Sequence, residues 1–141
     1  MGGRIPNYFG TWYHASKYAL EGYSESLRLE LSDFGIDVII IEPGGIKTEW
    51  GTIAAQNLKS VAKGGHYEEK ALKMAQSMIK QQSLNILSHP SVVAKVIIKS
   101  IEKRHVQAKY VTGFIAKPLI ILHAILPIKL FNWTLKKQIS K

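Results

Sequence analysis

Between Tyr13 and Thr48 a helix, a strand and a glycine turn follow one another without a break. That order constrains the fold more than any other feature of the chain. Leu20, Tyr23, Leu27 and Leu31 fall at helical spacing and predict one buried stripe on a helix running from Tyr13 to Asp33. Gly35 punctuates its end. The next residues, Ile36-Asp37-Val38-Ile39-Ile40-Ile41, are β-branched and almost uniformly apolar, as in a parallel strand covered on both faces. Pro43-Gly44-Gly45-Ile46-Lys47-Thr48 follows at once; Pro43 is expected not to extend the ladder, and the glycines allow close backbone approach. A turn at the carboxyl end of such a strand is where an open α/β sheet binds its ligand. The expected fold class is therefore α/β with a parallel sheet.

The helix opens on Tyr13-His14-Ala15-Ser16-Lys17. Residues four apart share a helix face, so the Tyr13 phenol and the Lys17 ammonium point into one space. A free phenol titrates near 10, and a neighbouring cation favours its ionised form. The pair can therefore act as a general acid/base with its own electrostatic tuner. Spacing alone is weak: six tyrosines and sixteen lysines in 141 residues yield ~0.7 such pairs by chance. The order of helix, strand and glycine turn is what gives the pair weight.

At these residues the chain resembles the short-chain dehydrogenase/reductase family, whose second half carries Tyr-x-x-x-Lys, a strand and Pro-Gly-x-Ile-x-Thr. The likeness is strong over residues 1–50 and loose over 88–130. It implies a Rossmann-like parallel sheet and an NAD(P)-dependent oxidoreductase acting on a small-molecule alcohol or carbonyl, expected to be apolar, with NAD or NADP as cofactor. Tyr13 would protonate the carbonyl oxygen in reduction or take the alcohol proton in oxidation. Lys17 would hold the nicotinamide ribose. The cofactor-binding set is then Tyr13, Lys17, Pro43, Gly44, Ile46 and Thr48, with backbone groups near Ile46 on the carboxamide and the Thr48 hydroxyl on carboxamide or pyrophosphate. The loop 1–12 would border the substrate, where Tyr8, Phe9 and Trp12 make an aromatic wall suited to an apolar molecule; plain packing beneath the loop is the alternative. The helix often packs on its twin in a dimer in this family, and Gly22 and Ser26 offer a small-residue strip for that contact.

The same resemblance shows what the chain lacks. The family's Gly-rich cofactor turn has no counterpart, because Gly2-Gly3 and Gly64-Gly65 have neither the spacing nor a strand before them. The catalytic Ser would fall just before Met1. The expectation is the C-terminal part of one dinucleotide-binding domain, an incomplete sheet, inactive alone. Residues 1–50 form its catalytic helix, strand and turn, 51–87 the substrate-lid region, and 88–141 the C-terminal helices. Residues that would separate NAD from NADP lie outside the sequence.

The rest of the chain is less distinctive. Residues 49–65 read as a loop with at most a short helix. His66–Gln82 reads as a helix with Tyr67, Ala71, Met74, Ala75, Met78 and Ile79 on one side. Ser88 is a candidate cap, with Pro90 in the first turn of a helix whose apolar face is Val92, Val93, Val96, Ile97 and Ile101. Ala108–Thr112 suits a last short strand. The charge-free run Pro118–Ile128 is eleven residues, too short to span a bilayer, and Pro127 interrupts it. Lys117, Lys129, Lys136 and Lys137 flank it, so 117–137 can close a pocket, dock on a neighbour or lie in a membrane interface.

Charge is unevenly held: net −3 over residues 1–50 and net +12 over 51–141. An acidic partner or anionic lipid would suit that asymmetry, as would plain solvated lysine faces. A non-catalytic, basic and apolar surface module is thus the rival reading. No nucleic-acid module or aromatic–basic interleaving is present. With no cysteine there is no disulfide or thiolate chemistry, and five scattered histidines predict no metal site. The N-terminus has no leader pattern, and a cytoplasmic protein is expected, with membrane association as the alternative.

Overall fold

Gly35 closes the first helix as its place in the sequence predicts. In the structure, a computed structural model describing residues 1–139, α1 spans Thr11–Ser32. Gly35 adopts φ 69°. Its N–H donates to the Ser32 carbonyl at 3.0 Å and that of Ile36 to Leu31 at 3.3 Å, which satisfies the last turn. The chain then enters β1 (Ile40–Pro43), which pairs in parallel with β2 (Lys109–Thr112) from Ile40↔Lys109 to Pro43↔Thr112. Parallel strands need a crossover, and here it carries α2 (Trp50–Ala62), α3 (Glu68–Ser83) and α4 (Ser91–Ile101). Helices α5 (Ala116–Ile125) and α6 (Ile128–Ile139) follow β2. This is a Rossmann-like α/β arrangement around an incomplete, two-stranded sheet.

Several expectations are corrected. The strand placed at Ile36–Ile41 begins four residues later, and Ile36 is exposed. β2 offers partners only from Lys109 onward, opposite Ile40, and backbone is strand only where it is paired. Pro43, expected outside the ladder, is its last residue. Its carbonyl faces away from β2 and accepts from the Met1 ammonium at 3.0 Å, so on that edge a missing N–H costs no ladder bond. Gly44 makes the next bond instead, donating to Thr112 at 2.7 Å.

The buried stripe on α1 is also overturned. No residue of that helix is buried, and Leu20 and Tyr23 are exposed. A stripe is buried only where a layer covers it, and two short strands do not. The core lies instead between α2 and α3, where Ala55, Ala71, Met74 and Ala75 are buried, and at Phe131 of α6. Small residues let α2 and α3 approach closely; a Cβ on Gly51 would come within 2.3 Å of the Gln82 side chain. That packing explains why residues 50–62, weak in periodicity, are helical. Helix α3 matches the predicted segment, though Tyr67 and Ile79 of its expected stripe are exposed.

Ser88 does not cap α4. Its backbone is bridged to the glycine turn, donating to Gly45 and accepting from Lys47 at 3.0 and 2.9 Å, and the helix starts at Ser91. On its expected apolar face Val92, Val93 and Val96 are half-buried while Ile97 and Ile101 are exposed. The predicted last strand is present as β2, and Pro127 separates α5 from α6. No helix among the described residues is long and apolar enough to cross a membrane.

Two glycines test this packing. A Cβ on Gly44 would lie 2.5 Å from the Phe114 carbonyl and 2.6 Å from Ala116 Cβ, whereas nothing surrounds Gly22 within 4 Å. Gly44→Ala should destabilise the chain by about 1–3 kcal/mol. Gly22→Ala, in mid-helix, should stabilise it by about 0.5–1 kcal/mol. Urea midpoints of the two variants check both signs.

Candidate active site

Tyr13 lies in the first turns of α1, and Lys17 Nζ stands 5.7 Å from the centre of its ring. The helical spacing thus does bring phenol and ammonium together. Three further groups wall the phenol. The Trp50 ring, first in α2, lies 5.2 Å away, and the His14 ring meets it edge-on at 5.2 Å. Gly2 presses its backbone against the phenol. A Cβ there would lie 2.8 Å from the ring and 3.0 Å from the hydroxyl, so only glycine allows the contact. The phenol keeps one open side and is 39% exposed.

His14 organises the loop before the helix, a role the scattered histidines did not suggest. Its Nε2 accepts from the Asn7 N–H at 2.9 Å, and its Nδ1 lies 2.8 Å from the Gly2 carbonyl oxygen. A carbonyl can only accept, so Nδ1 carries the proton and the imidazole is neutral in this arrangement. Through one ring the loop is tied at Gly2 and at Asn7. The signal in the sequence was only its place beside Tyr13, behind a loop rich in glycine.

Of the three aromatic residues expected to border a substrate, Tyr8 and Phe9 lie together and Trp12 stands apart from them. Helix α1 begins at Thr11, so Trp12 projects about 100° round the axis from Tyr13 and is 87% exposed. Phe9 has left-handed backbone (φ 59°), an uncommon state for a bulky residue. Its ring lies 6.3 Å from Tyr8 and meets Tyr67 edge-on at 6.2 Å. The rings thus form two groups, Tyr8 with Phe9 and Tyr67, and Tyr13 with Trp50, and both Tyr67 and Trp50 come from the region after the turn.

The Pro43–Thr48 turn is held from both sides. Gly44 and Gly45 donate to Thr112 and Phe114, and Gly45 and Lys47 bridge Ser88. These glycines therefore pack the turn and have no spare donor. Ile46 differs. It sits in a parallel bridge with Ser88 whose bonds are made by its two neighbours, so its own N–H and C=O point to the opposite edge. Thr48 is exposed just before α2. One cleft adjoins the loop before α1, between Asn7 and Tyr8 and helix α6; another lies beside Gly35 and Val106 at the amino ends of the strands.

Behind the site a charged layer joins α1 to the sheet. Lys109 donates to Glu21 at 3.1 Å and to Glu25. Burial alone would pull the Lys109 pKa down, but the hydrogen bonds to Glu25 and Glu21 outweigh it and hold it above its usual value. Those same contacts lower Glu25. Glu42 is 2% exposed, has Arg4 only at 3.7 Å, and one of its carboxylate oxygens has no hydrogen-bond partner. Burial, with the nearby negative charge of Glu21, pushes its pKa up.

A helix-borne tyrosine and lysine beside a Pro-Gly turn at the carboxyl end of a parallel strand mark the Rossmann-like α/β class. The short chain dehydrogenase profile matches residues 1–59. Over 127 residues the chain is 35% identical to a probable short-chain type dehydrogenase/reductase, VdlC, of Helicobacter pylori, a match covering 90% of this chain and 45% of that protein. It is 30% identical to mouse 17-beta-hydroxysteroid dehydrogenase type 6 (90% of this chain, 43% of the relative) and 30% identical to human retinol dehydrogenase 5 (91% and 44%). The chain belongs to the short-chain dehydrogenase/reductase family. It spans a little under half the length of these curated relatives.

Glu42 supplies a pH test. Its carboxyl binds a proton more tightly folded than unfolded, so its contribution to stability is full below the ordinary carboxylate value of about 4.3 and is lost as pH rises through the elevated folded value. Glu42→Gln should therefore melt higher than the parent at pH 7, and the advantage should vanish below about pH 4. Paired thermal melts across that range check it, the difference cancelling the opposite trend of Glu25.

Proposed function

We propose that a longer protein containing this chain is an NAD(P)-dependent oxidoreductase of alcohols and carbonyls, and that this chain supplies its proton-transfer pair and its nicotinamide-end contacts. The observation that carries the reading is the Tyr13–Lys17 pair set between Gly2 and Trp50 beside the glycine turn. Ile46 presents one donor and one acceptor on a free edge, the complement of a carboxamide. Thr48 and Lys17 are the further candidates to hold that end of the cofactor. A bound nicotinamide would supply or accept the hydride. Tyr13 would donate its proton to the carbonyl oxygen in reduction and take it from the alcohol in oxidation, with Lys17 holding positive charge beside the phenol. Gly2 and Trp50 fix the ring, so little reorganisation accompanies transfer.

Tyr8, Phe9, Tyr67 and Trp50 favour an apolar substrate. Two relatives are named for a retinol and a hydroxysteroid, which fits the same preference. The exposed face of α1 around Gly22 and Ser26 suits a second copy of the protein.

In the longer protein Tyr13→Phe should cost at least about a hundredfold in kcat, the lower end of a general acid/base contribution. Steady-state kinetics read it, and turnover within a few fold of the parent rejects Tyr13 as the acid. The 141-residue chain by itself should show no dehydrogenase activity and bind NAD(P) poorly. Most dinucleotide affinity in such folds comes from a Gly-rich turn on the pyrophosphate and a side chain on the adenosine ribose, and this sequence holds neither pattern. A cofactor titration followed by calorimetry checks this, and micromolar binding overturns the partial-domain reading.

A further inference from the structure

From Lys103 to Lys141 the sequence carries eight lysines and arginines and no acidic residue. Within that stretch α5 and α6 form a helical hairpin with a settled inner side. Phe131 is buried and meets His123 edge-on at 4.6 Å, and Ala116 is fully buried. The outer side is apolar and uncovered. On α5, Ile121, Leu122 and Ile125 share one face and are all exposed. Ile125 and Ile128, 74% and 71% exposed, flank the Leu126–Pro127 bend and carry the apolar surface across it. On α6, Trp133 is exposed, and Lys137 Nζ lies 3.9 Å above its ring. Lys117 and Lys129, also exposed, border the apolar run.

We propose that this hairpin docks on an anionic phospholipid surface. Ile121, Ile125, Ile128 and Trp133 enter the boundary between headgroups and acyl chains, and Lys117, Lys129 and Lys137 meet lipid phosphates. Charge selects this occupant. A second copy packed through the same patch would set its lysine border against an identical one, whereas an anionic bilayer accepts both the apolar face and the cations. Of the other exposed apolar faces, that on α1 belongs to a segment of net charge −3 and has no such border, and that of Ile97, Ile98 and Ile101 on α4 is confined to one helix with no aromatic residue. Length decides between lying on the membrane and crossing it. The ten residues of α5 make about 15 Å of helix against a hydrocarbon core of about 30 Å. The indole of Trp133, with an apolar body and a polar N–H beside a lysine, suits the interface itself. This inference does not depend on the oxidoreductase reading.

The test is flotation of the full 141-residue chain with vesicles of phosphatidylcholine alone or mixed with phosphatidylserine, at low and at physiological salt. Flotation leaves aggregated protein at the bottom of the gradient. The chain should float with phosphatidylserine vesicles, at least about tenfold less with phosphatidylcholine, and less at the higher salt. Ile125→Asp with Trp133→Asp should abolish flotation. Lys117→Gln and Lys129→Gln should each weaken it about fivefold, and Leu20→Asp on α1 should leave it unchanged. If the aspartate variant loses its helical circular dichroism, the two lysine variants decide. No flotation, flotation indifferent to lipid charge and salt, or an equal loss with Leu20→Asp overturns the proposal. So does self-association of the chain that the aspartate variant removes while vesicle binding is absent.

Discussion

The ammonium of Lys109 ties the helix that carries Tyr13 to the strand pair. It reaches Glu21 and Glu25 across 88 and 84 residues of sequence. Helix α1 has no fully buried residue, so hydrophobic packing contributes little to fixing its place. Besides these ion pairs, α1 is held by close backbone approach at Gly3, where a Cβ would lie 2.7 Å from the Lys17 carbonyl. Ion pairs of this partly exposed kind contribute little each, and burying Glu42 beneath them opposes what they give. The arrangement therefore specifies orientation more than it adds stability. What it orients is the face bearing Tyr13 and Lys17.

Glycine contacts complete the site. Gly2 meets the phenol, and Gly44 and Gly113 let the turn pack against the start of α5 and against Ile46. The aromatic groups facing Tyr13 and Phe9 come from Trp50 in α2 and from Tyr67 just before α3. The helices α2 and α3 hold most of the buried apolar side chains. The region expected to act as a lid thus also supplies much of the buried core. Met74 is core there, and its adaptability fills space between helices.

The chain presents two surfaces of different character. The site lies in an acidic segment with an open phenol, while the C-terminal hairpin is basic and apolar outside. The sheet is only two strands wide, and β1 offers its free edge to Met1 through Pro43.

Local rules carried the sequence reading a definite distance. The Tyr13–Lys17 spacing, the Gly35 closure and helix α3 depend on interactions between near neighbours in the chain, and all were legible; β2 was legible too from its composition, though its partner β1 lies far away in the chain. So was the α/β class, because a helix, an apolar run and a Pro-Gly turn admit few other arrangements. Burial was not legible. The stripe Leu20–Leu31 and the run Ile36–Ile39 have the periodicity of buried elements but lack a covering layer, and periodicity records only what a segment could bury. Helix α2 was missed for the converse reason: its pattern is weak, and it is held by α3 through Gly51 and Ala55. His14 and Trp50 became parts of the site only when the loop and the crossover folded back onto Tyr13. Short-range hydrogen bonding and helical geometry are written into adjacent residues, whereas what covers a face is decided by segments far away in the chain.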